Sequence, residues 1–80
     1  MDTLVFVDTQ YDFISPNGRL YIKDAEKILK NVLALTTLYE MNLITTSDWH
    51  EENDPEFIQY PPHCIKYSKG SYNYTIETAK

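Results

Sequence analysis

Eighty residues with a formal net charge of -5 make at most one small domain, near the size where a hydrophobic core is only marginally self-sufficient. The acidic balance argues against nucleic-acid and anionic-membrane partners, because phosphates attract basic surfaces. A single cysteine excludes an internal disulfide framework and suits a reducing, cytoplasmic compartment, and no stretch is long enough to span a bilayer.

"TLVFVD" (3 to 8) is an apolar run rich in β-branched and aromatic residues. Apolar side chains on both faces predict a strand covered on both sides, as in a parallel sheet. The run enters Asp8 without a basic start or a long apolar region, so it does not read as a signal peptide. "ISPNGRL" follows with turn chemistry. A helix is expected from Asp24, with Asp24 as cap, Glu26 in the first turn and Asn42 as the stop. Ala25, Ile28, Leu29, Val32, Leu33 and Tyr39 recur at helical spacing and predict one apolar face. "NLITTS" (42 to 47) reads as a second buried strand, which completes a right-handed βαβ unit.

Parallel strands bring their carboxyl ends to one edge of the sheet, where ligands of open α/β sheets bind. Asp8 closes the first strand; Asp48 and His50 follow the second. An aspartate at a strand end is often only a turn residue, but two such ends on one edge point to a site. In an extended segment, residues i and i+2 project to the same side, so Asp48 and His50 can address one ion. His63 lies beyond a loop stiffened by Pro55 and the Pro61-Pro62 pair. One carboxylate and two imidazoles leave coordination positions open, as a catalytic or substrate-binding metal site needs. The competing reading makes the histidines ordinary surface residues. Glu51, Glu52 and Asp54 are expected to be solvated loop charges, and Glu56 is a candidate fourth ligand or a partner that orients a histidine.

Three segments, "LVFVDTQYDF", "SDWHEENDPEF" and "YPPHCIKYSKG", together resemble the nicotinamidase branch of the isochorismatase-like cysteine hydrolases. They stand in the family's order at compatible spacing and cover nearly the whole chain. "VFVDTQ" alone also suits phosphoryl-transfer aspartate enzymes, but those usually carry a second acidic residue where Gln10 stands. The resemblance implies the N-terminal part of a three-layer α/β/α fold with a parallel sheet, so residues 1–80 are expected to form an incomplete single domain. It implies a metal-dependent amidohydrolase converting nicotinamide to nicotinate and ammonia. Asp8 would be the general base towards a cysteine nucleophile. Asp48, His50 and His63 would hold a divalent ion (zinc, iron or manganese) that binds the substrate's ring nitrogen. Phe13 and Tyr60 would wall the substrate pocket. Gln10 and Asp12 match the motif and are expected to support the loop carrying Phe13, while Tyr67 stands where relatives commonly have glycine.

Cys64 is not expected to be the nucleophile, since it would point away from an ion held by His63 in an extended segment and pack as a small hydrophobe. The family nucleophile lies much later, so the chain is expected to lack it. Lys69 reads as an exposed turn residue. A non-catalytic metal-binding or interaction fragment is the alternative reading. An isochorismatase-type hydrolase suits less well, because that branch generally lacks the Asp-His-His set. The expected partners are a small-molecule amide and, through uncovered apolar strands, a second copy or a complementary C-terminal chain.

Overall fold

The computed structural model describes residues 1–75. Two parallel strands, β1 (Thr3–Val7) and β2 (Asn42–Thr46), pair in register from Thr3 opposite Asn42 to Val7 opposite Thr46. Their β-branched and aromatic content suits a pleated surface. Between them lie a short helix, α1 (Tyr11–Ile14), and a longer one, α2 (Ile28–Leu38), so the βαβ order read from the sequence is found.

Asp24 does not cap the helix. It adopts a left-handed conformation (φ 66°) and makes no side-chain cap hydrogen bond; its carboxylate instead lies 3.5 Å from Lys27 Nζ. A 3-10 turn over Ala25–Lys27 leads directly into α2. Asn42 is not the stop either. Tyr39 is already extended, and Asn42 donates its N–H to Asp2 O as the first residue of β2. The low helix propensity of Thr36 and Thr37 favours this earlier end.

The predicted apolar face of α2 buries only Val32, whereas Leu33 and Tyr39 are exposed. The strands, expected to be covered on both sides, bury Phe6 alone; Val7 is 67% and Ile44 53% exposed. Among the described residues the two-stranded sheet is therefore largely uncovered. The remaining core gathers at the carboxyl ends of the strands, where Ile14, Cys64, Gln10, Asp12, His50 and His63 are buried. No helix of the described residues is long and apolar enough to cross a membrane.

Candidate metal centre

The segment after β2 is tied to the loop that carries His63. His50 donates its N–H to Cys64 O (3.1 Å), and Lys66 donates back to His50 O (2.9 Å), a single parallel bridge. Asp48 and His50 project to one side, as their spacing predicts. Asp48 Oδ2 lies 2.9 Å from His50 Nε2 and 3.3 Å from His63 Nε2, and both imidazoles are buried.

The opposite ring nitrogens define the chemistry. His63 Nδ1 lies 2.7 Å from Pro61 O, and a carbonyl only accepts, so Nδ1 carries the hydrogen. His50 Nδ1 lies 2.9 Å from Asp54 Oδ2, which likewise accepts. In the neutral rings each Nε2 therefore presents a lone pair to the same carboxylate oxygen. His50 Nε2 is at ion-pair distance from Asp48 yet makes no hydrogen bond, which leaves it a buried polar atom without a partner. Three acceptors facing one another repel unless a cation or a proton lies between them. A tetrahedral ion with ligands at about 2.0 to 2.2 Å sets ligand atoms about 3.3 Å apart, close to the separations found. The residues fit a metal ion. Glu56 Oε2 lies 3.5 Å from His50 Nε2, but it groups with His50 and Asp54 and not with the Asp48, His50 and His63 set.

Without an ion, a proton can take its place. Burial disfavours a charged His50, but the carboxylates of Asp54 and Asp48 outweigh it and raise its pKa above the ordinary 6.5. The pKa of Asp54 is lowered, first by the Glu56 N–H and then by His50.

Asp54 is therefore no solvated loop charge. Oδ1 accepts from Glu56 N (2.8 Å) and caps the 3-10 turn Pro55–Ile58, while Oδ2 holds His50. Its cue was present in the sequence: Asp-Pro opens a turn whose cap lies four residues after His50. Glu51 is exposed, as expected, and pairs with Lys66 Nζ.

Gln10 O accepts from the N–H groups of Phe13 and Ile14, so it supports the segment carrying Phe13 as expected, and the side chains of Gln10 and Asp12 reach other loops as well. Gln10, fully buried, donates from Nε2 to Asp48 O (2.7 Å) and Ser71 O (2.9 Å) and accepts from Asp48 N (2.8 Å). Asp12 Oδ2 accepts from Cys64 N (2.8 Å), beside His63, and Oδ1 accepts from Arg19 N. Asp8 accepts from Thr46 Oγ1 (2.7 Å), which fixes its carboxylate at the carboxyl end of β2, on the sheet edge that also bears Asp48. Phe13 lies 5.5 Å from the His63 ring, centroid to centroid. Phe57, absent from the sequence reading, packs edge-on against His50 (5.2 Å) and His63 (5.4 Å). Tyr60 is half exposed.

Cys64 is fully buried, but its backbone is left-handed (φ 48°) rather than extended, so the alternation argument for its direction does not apply. Burial, with the charges of Asp12, Asp48 and Asp8, pushes its thiol pKa up to about 12. That is unsuited to a nucleophile at neutral pH. Lys69 is exposed, 4.7 Å above the Tyr11 ring. Tyr67 has φ 63°, where glycine is favoured, and stacks edge-on with Trp49.

No family model matches the chain. The nicotinamidase of Saccharomyces cerevisiae is 30% identical over 76 residues, covering 91% of this chain and 35% of that protein. Among solved structures, PnC1 from L. infantum in complex with nicotinate has a TM-score of 0.82 at 33% identity, over 92% of this chain and 40% of that one. The pyrazinamidase of Pyrococcus horikoshii in complex with zinc has a TM-score of 0.78 at 29% identity, over 91% and 44%. Yeast nicotinamidase Pnc1p bound to the inhibitor nicotinaldehyde has a TM-score of 0.82 at 25% identity, over 96% and 50%. The chain thus spans between about a third and a half of the length of these relatives. In sequence and in fold, the chain is therefore similar to a part of these nicotinamidases and of the pyrazinamidase.

Proposed function

We propose that residues 1–80 form the metal-binding, N-terminal part of a nicotinamidase-type amidohydrolase, which converts nicotinamide to nicotinate and ammonia. The observation that carries this reading is the convergence of two buried imidazole lone pairs on Asp48 Oδ2. Asp48, His50 and His63 would hold one divalent ion. A bound ion supplies a fixed, electron-accepting anchor that orients the heteroaromatic ring of the amide. The zinc complex of the Pyrococcus horikoshii relative supports zinc, and the nicotinate and nicotinaldehyde complexes of the other two support a pyridine carboxamide.

Phe13 and Phe57, which pack against the histidine rings, would supply flat apolar surface to a substrate ring, and Tyr60 would close the wall at the exposed side. Asp8, held by Thr46, would take the proton from a thiol as its sulfur forms a bond to the amide carbon, and would return that proton to the amide nitrogen as the C–N bond breaks and ammonia leaves. Water then hydrolyses the thioester. Cys64 is the one cysteine of these residues and is unsuited to the step, so the thiol must come from outside them.

Metal content and ammonia release test the two halves of the reading. The chain should bind one equivalent of zinc, and a His50→Ala/His63→Ala double variant should bind none. Alone it should release no ammonia from nicotinamide. Equal zinc in both proteins would refute the metal centre, and ammonia release by the 80-residue chain would refute the assignment of the thiol.

A further inference from the structure

We propose that Asp54 is the positioning residue of this metal centre. One carboxylate oxygen locks His50 in the tautomer that offers Nε2 to an ion, and the other sets the turn that carries Glu56 and Phe57. The inference rests on the metal-centre reading above.

A neutral imidazole has one N–H, and which nitrogen bears it is decided by the partner of the other. Asp54 Oδ2, 2.9 Å from Nδ1, selects the form with a free lone pair on Nε2. The two histidines differ in how this is done. His63 is set by a main-chain carbonyl, Pro61 O, which no side-chain substitution deletes. His50 depends on a side chain, so the centre has one point at which a single substitution can reverse a ligand.

The same carboxylate also faces the turn. Oδ1 accepts from Glu56 N at 2.8 Å, and Asp54 O accepts from Phe57 N at 3.0 Å. Phe57 in turn touches both imidazoles, and Glu56 approaches His50 Nε2. Asp54 therefore joins the orientation of one ligand to the placement of Phe57 against both rings and of Glu56 beside His50.

An isosteric change separates these duties. In Asp54→Asn the side chain has one acceptor and one donor end. If its oxygen caps the turn, its NH2 faces Nδ1 and favours the tautomer with hydrogen on Nε2. If its oxygen faces Nδ1, its NH2 meets the Glu56 N–H, donor against donor. Asp54→Ser keeps a capping oxygen but is too short to hold the ring.

The test uses the 80-residue chain labelled with 15N-histidine, in which only two rings report. Ring tautomers are read without metal, at a pH high enough that both rings are neutral, since an imidazolium carries hydrogen on both nitrogens. Zinc affinity is read by competition with a chelator. We expect zinc affinity to fall 10- to 100-fold in both variants, the range found for groups that orient metal-bound histidines. We expect His50 to lose its Nδ1–H preference while His63 keeps its own, which also shows that the loop is still folded. Affinity within threefold of the parent chain in either variant overturns the proposal. So does a loss of affinity with an unchanged His50 tautomer, because the effect would then come from the turn alone. If the parent chain binds no zinc, the metal-centre reading fails, and the metal-free tautomers still decide whether Asp54 sets His50.

Discussion

Gln10 fixes Asp48 through both ends of one amide, so the residue that offers Oδ2 to two imidazoles is aligned from behind by a side chain with no solvent contact. Gln10→Ala would strand the N–H and C=O of Asp48 and the carbonyl of Ser71. We expect a loss of about 2 to 3 kcal/mol, from the cost of unpaired buried polar groups, and weaker zinc binding, both measurable by urea unfolding with and without zinc. A pH dependence follows from His50. Its folded pKa is raised, so its contribution to stability is full below about 6.5 and is lost as pH rises through the folded value. The metal-free chain should therefore weaken as pH rises above about 6.5. With zinc the slope should reverse, because the ion displaces the proton, and affinity should rise by up to about tenfold per pH unit for each proton released. Urea unfolding at pH 6, 7 and 8 checks both signs. At this scale Asp48, His50 and His63 were legible, since spacing and strand ends bring such side chains together. Asp54 and Phe57 were not, because their roles depend on how a 3-10 turn folds back over His50.

The loops around the site are held by small residues at close approaches. A Cβ on Gly70 would lie 1.9 Å from Asp12 Oδ2, and one on Gly18 would lie 2.4 Å from Asp12 O. Both glycines leave room for the same aspartate, whose carboxylate holds the N–H groups of Cys64 and Arg19. Gly70→Ala should push Asp12 off Cys64, shift His63 and destabilise the chain by about 1 to 3 kcal/mol, the usual cost of overpacking. A fall in zinc affinity together with a lower thermal midpoint would match this; a neutral result would show that the short turn Lys69–Ser71 yields instead. The strands were legible as elements because short apolar runs bounded by turn residues have few other uses. The start of α2 was not, because Asp24 meets a left-handed backbone that takes its side chain away from the cap.

The whole chain is more open than its length requires. Its radius of gyration is 13.5 Å, where a compact domain of this size has about 12 Å. Its accessible surface is 5620 Å², against about 5000 Å² expected for 9.4 kDa. Val5, Val7, Leu43 and Ile44 stand exposed on a two-stranded sheet, a form that is marginal alone in water. Full burial of such a side chain is worth roughly 1.5 to 3 kcal/mol, and with about half of each still exposed the four together are comparable with much of a small domain's stability. The chain should therefore self-associate as its concentration rises, and sedimentation velocity across a hundredfold dilution should show the shift. Val5→Lys/Ile44→Lys should abolish it. An unchanged monomer at every concentration would mean that the open face is tolerated.

The buried thiol of Cys64 turns this chain into its own reporter. With a pKa near 12 and no solvent contact, Cys64 offers almost no thiolate to an alkylating reagent while the loop around His63 is closed. Opening that loop exposes it at once. The labelling rate at neutral pH thus measures how often the loop around His63 unlatches. It should slow as zinc is added, without any substitution or attached probe.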